Sequence, residues 1–236
     1  MIYVMSDLHG EYDKYLAMLK KINFSDDDEL YILGDVVDRG SKPVEILQDM
    51  SMRPNVFPIM GNHDKMAIDV LEWLLDEINE ETLYKHINEE SMYRLMVWQM
   101  NGSQTTIDGF QRLPREERVA LLDYMKEFAP YEVVEAGGKT FILVHAGLGE
   151  SGKFDKDKPL DAYTIRELAF VRFNYEKEYF GGDTYIVTGH TPTISFTYCP
   201  EIYYSHNNFC IDCGAVFASG ALACLCLDNL KEYYVY

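Results

Sequence analysis

Five times along this chain of 236 residues a short apolar run ends, and within two residues comes a side chain able to bind a metal ion. Ile2-Tyr3-Val4-Met5 leads to Asp7 and His9, and Leu30-Tyr31-Ile32-Leu33 leads to Asp35. Val56 to Met60 leads to Asn62 and His63, Phe141 to Val144 leads to His145, and Tyr185 to Thr188 leads to His190. Runs of this length suit buried strands. The carboxyl ends of strands are where an α/β sheet opens onto its ligand crevice, so five such ends pointing one way would gather these donors in one place.

Taken singly, each residue has an ordinary explanation. An Asp after a strand is usually a turn or cap residue, and a His there is usually a hydrogen-bonded rim residue. Four of the six histidines fall at these strand ends, however, and the coincidence carries the metal reading; His86 and His206 lie outside it and read as surface residues. Oxygen and imidazole donors without sulfur favour Mn, with Fe or Zn as alternatives, over a thiolate cluster. Asp7, His9, Asp35, Asn62, His145 and His190 are too many for one open catalytic ion, whereas two divalent ions sharing a bridging carboxylate would use them all.

The rest of the pattern predicts an α/β layered fold. Helical spacing runs over Glu11 to Ile22, Pro43 to Met50, Met66 to Ile78, Met92 to Met100 and Val119 to Phe128, with a further helix around Asp161 to Phe173. Gly137-Gly138 reads as a two-residue turn between strands over Tyr131 to Ala136 and Lys139 to Val144, and Asp228-Asn229 as a turn near the C-terminus. No linker or repeat interrupts the chain, so residues 1–236 are expected to form a single domain carrying a helical block over about 65–129.

Lys plus Arg number 21 against 39 Asp plus Glu, a formal net charge of −18. That balance argues against a partner held through its phosphate backbone, so no nucleic acid is expected, although a small phosphate in a local site is compatible with it. No apolar stretch suits a membrane span, and the opening residues carry no basic signal-peptide region, so no membrane association is expected. Five cysteines, all in the last 40 residues, read as free thiols in a reducing compartment, and the chain as cytoplasmic. A cysteine phosphatase needs an Arg six residues after its nucleophile; those positions hold Ser205, Val216, Ser219, Leu230 and Glu232, which excludes that chemistry. A zinc site from Cys210, Cys213, Cys224 and Cys226 conflicts with strand alternation, and buried small hydrophobes are the better reading. The acidic stretch Ser25 to Glu29 reads as a solvated turn rather than a calcium loop.

Asp7-Leu8-His9-Gly10, Gly34-Asp35-Val36-Val37-Asp38-Arg39-Gly40 and Gly61-Asn62-His63-Asp64 resemble the three signature blocks of the phosphoprotein phosphatase family of calcineurin-like metallophosphoesterases. Val144-His145-Ala146-Gly147, Gly189-His190-Thr191-Pro192 and Ile211 to Val216 resemble its later blocks, in family order. The resemblance implies a four-layer fold, a central β-sandwich flanked by helices. It implies Asp7, His9 and Asp35 on one metal, and Asp35, Asn62, His145 and His190 on the other. It also implies an enzyme, a metal-dependent phosphoric ester hydrolase in which water shared by the two ions attacks phosphorus.

The leaving alkoxide then needs a proton. His63, beside a metal ligand but left over from the ligand set, is the natural acid, with Asp38 on its other nitrogen. Arg39 can fork onto phosphate oxygens; Asp38 and Arg39 alone could equally be a local ion pair, and the resemblance favours the catalytic roles. Leu168-Ala169-Phe170-Val171-Arg172 resembles the family's segment carrying a second phosphate clamp, which points to Arg172, with Arg166 as fallback on the same expected helix. Asp64 and Cys213 depart from the eukaryotic pattern, and the blocks are closer to bacterial and phage-type Ser/Thr protein phosphatases. A phosphorylated protein or a small phosphoester is the expected substrate; the alternative is a dinucleoside polyphosphate such as diadenosine tetraphosphate. A non-catalytic binding module on the same fold would be expected to have lost a ligand, His63 or Asp38, and none is missing.

Overall fold

A computed structural model describes residues 1–75, 88–149 and 154–236. Strands β1 (Ile2–Met5), β2 (Glu29–Ile32) and β3 (Val56–Pro58) run parallel, separated by helices α1 (Tyr12–Ile22) and α2 (Pro43–Ser51). Among the described residues four helices follow: α3 (Asn62–Leu75), α4 (Glu89–Met100), α5 (Gln104–Arg112) and α6 (Arg115–Lys126). The hairpin β4 (Glu132–Ala136) and β5 (Lys139–Leu143) comes next, then the short helix α7 (Ile165–Ala169), β6 (Thr184–Thr188) and the single turn α8 (Ile194–Thr197). Strands β7 (Tyr203–Ser205), β8 (Asn208–Cys210), β9 (Leu222–Cys226) and β10 (Lys231–Val235) close the chain.

The strands form two five-stranded mixed sheets, ordered β10-β9-β1-β2-β3 and β4-β5-β6-β8-β7. Strand alternation sorts their side chains into layers. Val4, Leu33, Phe141, Leu143, Val187 and Leu225 pack between the sheets. Tyr3, Met5, Leu30 and Ile32 face the other way, against Leu19, Leu47 and Trp98 of the helices. Ile142 and Ile186 turn outward onto Leu168 and Tyr163. The result is helix, sheet, sheet, helix: the expected sandwich with flanking helices. Both sheets contribute parallel strands to it, β1-β2-β3 and β5-β6-β8, and the loops after them carry the candidate donors.

Three local expectations need correction. The helix expected over Asp161 to Phe173 is shorter, a 3-10 turn at Leu160–Ala162 followed by α7. Thr164 and Glu167 form a reciprocal capping box that starts the helix at Ile165, after which the chain leaves helical geometry at Phe170. Arg172 and Arg166 are therefore not on one helix. Helix α5 has no counterpart among the expected helices. The edge strand β3 is shorter than its apolar run and ends at Pro58, which has no N–H to extend a ladder. Ile78 and His86 lie outside the described residues. Among the described residues no helix is long and apolar enough to cross a membrane. The five cysteines are free, four of them buried, and Asp28 closes the Ser25 turn by accepting from its backbone N–H and hydroxyl.

Candidate metal centre

Loops at the carboxyl ends of β1, β2, β3, β5 and β6 meet where the two sheets join. Backbone bonds set their spacing: Asp7 N donates to the Gly34 carbonyl, His9 N to that of Asp35, and Gly189 N to that of His145. The approach is close enough to demand glycine. A Cβ on Gly61 would lie 2.2 Å from the Asp35 nitrogen, and one on Gly34 would lie 2.3 Å from the Gly61 nitrogen. Asp7, His9, Asp35, Asp38, Arg39 and His190 all have positive φ. L-residues adopt that region at a cost of order 1–3 kcal/mol each, so the surrounding hydrogen bonds hold the loops in a strained, preset form.

Asp35 sits at the centre, buried among histidines. Its Oδ2 lies 3.6 Å from His9 Nε2 and 3.9 Å from His63 Nε2, while its Oδ1 lies 3.4 Å from His145 Nε2. Donor atoms of His9, Asp35 and His63 lie within 4.8 Å of one another, as do those of Asp35, His145 and His190. One carboxylate thus serves two clusters, one oxygen each. Asn62 joins the second, its Oδ1 3.0 Å from His145 Nε2. Asp7 is not in either group: its Oδ2 accepts the backbone N–H of His190 at 2.9 Å and ties the two sheets together.

The tautomers follow from the outer contacts. His9 Nδ1 donates to the Val37 carbonyl at 2.8 Å and His145 Nδ1 to that of Leu33 at 2.6 Å, so both Nε2 atoms face the centre as bare acceptors. Burial pushes His9 down to about 3, lowers His145, and with His145 nearby pushes His190 to about 3. These rings are neutral at pH 7. Burial opposes ionisation of Asp35, but the four histidines around it hold its carboxyl below the usual range. Around His145 Nε2 the oxygens of Asn62 and Asp35 are acceptors as well. Acceptors facing acceptors in a buried place fit a cation. Near His9, the Arg39 guanidinium already supplies positive charge, donating to His9 Nε2 at 2.8 Å and to His63 Nε2 at 2.9 Å. The acceptors around His145 therefore fit a divalent ion, and a second ion beside His9 would stand where the Arg39 guanidinium lies.

His63 and Asp38 form a buried pair, Nδ1 to Oδ2 at 2.7 Å. Burial pulls the His63 pKa down, but the charges of Asp35 and Asp38 outweigh it and raise it above its ordinary value. Asp38 has further donors that sequence pattern did not suggest. Trp98 Nε1 and the Thr106 hydroxyl, from α4 and α5, both donate to its carboxylate, and Arg39 N donates to the Gly102 carbonyl between those helices. Arg172 is exposed, and its Nη1 donates to the His190 carbonyl at 3.3 Å and to Thr191 Oγ1 at 2.9 Å. That places Arg172 at the rim, whereas Arg166 is exposed on α7.

Two carboxylates given no role by the sequence also belong here. Asp64 is fully buried and accepts from the backbone N–H groups of Asp35 at 2.7 Å, Val36 at 3.0 Å and Gly61 at 3.1 Å, bolting two donor loops together. Burial, helped by the Asp35 charge, pushes its pKa up to about 7. Asp212, pushed up to about 7 mainly by burial, contributes to the raised pKa of Asp7.

Two clusters of candidate metal donors that share Asp35 thus lie at the seam of a helix-flanked β-sandwich. The Calcineurin-like phosphoesterase profile matches residues 1–219, and the chain belongs to that family. It is 27% identical over 215 residues to Serine/threonine-protein phosphatase 2 of Salmonella typhimurium, covering 89% of this chain and 88% of that protein. It is also 32% identical over 109 residues to the symmetrical bis(5'-nucleosyl)-tetraphosphatase of Buchnera aphidicola subsp. Schizaphis graminum, covering 45% of this chain and 40% of that protein. Among solved structures, a protein provisionally assigned as a diadenosine tetraphosphatase superposes with a TM-score of 0.67 at 15% identity, covering 99% of this chain and 92% of that one. A protein serine/threonine phosphatase from Saccharomyces cerevisiae gives 0.54 at 15% identity, over 95% of this chain and 72% of that one. These structures speak to the fold alone.

Proposed function

We propose that this chain removes phosphate from serine and threonine residues of proteins. The observation that carries the reading is the His63–Asp38 pair set beside two donor clusters that share Asp35. Alkoxides of serine and threonine are poor leaving groups, and a pair of this kind supplies the proton they need. The similarity to the Salmonella phosphatase, running through 89% of the chain, supports a protein substrate. The net charge of −18 supports it too, since a polyanion is repelled at long range and a basic protein attracted.

In this reading His9 and Asp35, with Asp7 after a side-chain turn, hold one divalent ion, and Asp35, Asn62, His145 and His190 hold the other. Oxygen and imidazole donors favour manganese. Divalent ions bound there acidify the attacking water and offset charge on the phosphoryl oxygens. Arg39 and Arg172 grip the phosphate from opposite sides. The grip has a second effect: drawing the Arg39 guanidinium toward phosphate frees His63 Nε2, which otherwise accepts from it, to carry the proton for the leaving oxygen. Asp38 keeps the ring oriented through Nδ1. We read residues 1–236 as one catalytic domain, whose helices α4 and α5 brace that pair, and the four buried thiols as fitting a reducing cytoplasm.

A second reading, hydrolysis of dinucleoside tetraphosphates, is supported by the similarity to the Buchnera enzyme. A side-by-side assay with manganese decides: phosphoserine peptides turned over faster than diadenosine tetraphosphate support the first reading, and the reverse order supports the second.

A further inference from the structure

Beside the metal centre lies an open cavity of about 370 Å³, lined by Phe173, Asn174, Tyr175, Glu176, Phe196 and Tyr203 together with Thr191. Two pairs of chain neighbours join it to the site. Arg172 precedes Phe173, and His190 precedes Thr191, whose hydroxyl accepts from Arg172. The cavity therefore adjoins the rim where Arg172 meets Thr191.

Its walls are ring faces and edges. Tyr175 and Phe196 lie nearly parallel, 16° apart, with centroids at 5.9 Å. Tyr203 stands edge-on to both, at 5.9 Å from Tyr175 and 5.3 Å from Phe196. Among the described residues the one charged side chain in the lining is Glu176, exposed, with Oε1 accepting from the Tyr203 hydroxyl at 2.5 Å. Rings around a carboxylate attract cations through the ring quadrupole and the formal charge together. The adjoining aromatic cluster already behaves this way: Lys177 Nζ sits 5.5 Å from the Phe154 centroid and 5.3 Å from that of Tyr179, which stacks on Phe173.

We propose that this cavity is a specificity site for a cationic side chain, arginine foremost, flanking the phosphorylated residue of the substrate protein. The proposal rests on the protein phosphatase reading above. Arginine fits best because its planar guanidinium can lie against a ring while its N–H groups reach Glu176. An apolar side chain there would desolvate the carboxylate without pairing it, and a polyphosphate chain would meet it with like charge. The excess of acidic residues over the whole chain steers in the same direction.

The test compares two phosphoserine peptides, identical except for arginine or alanine at a flanking position, in manganese buffer. Each is normalised to p-nitrophenyl phosphate turnover by the same protein. Wild-type enzyme is expected to favour the arginine peptide by about 10-fold in kcat/KM, mostly through KM. In Glu176→Gln and Phe196→Ala the ratio is expected to fall toward unity. Peptide turnover with no arginine preference in the wild type, or with the same preference in both variants, overturns this proposal and leaves the phosphatase reading standing. Cleavage of diadenosine tetraphosphate with neither peptide touched overturns both.

Discussion

The indole Nε1 of Trp98 points at the Asp38 carboxylate, 2.9 Å from one oxygen and 3.1 Å from the other, sixty residues away in the chain. Both side chains are fully buried. Thr106 adds a hydroxyl at 2.7 Å and takes the Asp38 N–H in return, so the anion that orients His63 is braced from the helical side. A buried carboxylate deprived of one such donor costs about 1–3 kcal/mol.

Trp98→Phe keeps most of the packing and removes that donor. We expect kcat on phosphoserine peptides to fall about 10-fold, with KM little changed and a smaller loss on p-nitrophenyl phosphate, whose leaving group needs no proton. Equal losses on the two substrates would show that the indole matters only for folding.

Removing the acid itself goes further. His63→Asn is expected to lower kcat on phosphoserine peptides by about 10² to 10⁴ while manganese binding, followed by calorimetry, survives. A fully active variant would take the proton donor role away from this ring.

Asp64 makes no contact with a substrate in this reading, yet its oxygens hold the amides of Asp35, Val36 and Gly61. Asp64→Ala strands those buried donors. Manganese affinity is expected to drop about 10- to 100-fold, as when outer partners of metal ligands are lost, and the melting temperature should fall as well. Unchanged affinity would mean that the loops hold their shape by other bonds.

Gly61→Ala introduces a methyl 2.2 Å from the Asp35 nitrogen and 2.3 Å from its Oδ1. Both neighbours are fixed, one by covalent geometry and one by its place in the centre. We expect a protein that is insoluble or binds no metal; a stable, active variant would refute the close approach of these loops.

Stability also carries a pH signature outside the centre. Lys158 Nζ at 2.8 Å, with the backbone and hydroxyl of Thr164, holds Glu167 down to about 2 from an ordinary 4.5. A carboxyl depressed in the folded state adds stability above its unfolded pKa and loses it as the pH falls through the folded one. The melting temperature of wild type should therefore exceed that of Glu167→Gln at pH 7, and the gap should close between about pH 5 and pH 2. A gap independent of pH would assign the cap to shape rather than charge.

The meeting of Asp35, Asn62, His145 and His190 was legible because strand ends are fixed points. A run such as Tyr185 to Thr188 determines where His190 emerges, and no tertiary detail is needed beyond parallel pairing. What sequence could not supply were contacts made across the chain. Trp98 reads as one more apolar residue in a helical stripe, because periodicity registers its ring and ignores its N–H. Helix α5 escaped notice since Thr105, Thr106 and Gly109 are weak helix formers; Gly109 instead lets the helix settle against Val44, where a Cβ would lie 2.6 Å from a methyl. Spacing sets Asp7 beside His9, and only the fold shows that its Oδ2 also accepts the His190 backbone N–H. Thr164-x-x-Glu167 is a capping signature that starts α7 at Ile165 and overrides the apolar spacing from Asp161.

The position of β1 has a consequence for how the molecule comes into being. Strand β1 pairs with β9, Tyr3 opposite Cys226, while Asp7 waits for the backbone of His190. A growing chain that stops short of β9 therefore leaves β1 without one neighbour. The hydrolytic centre cannot mature segment by segment as synthesis proceeds. It is knit when β9 folds back onto β1.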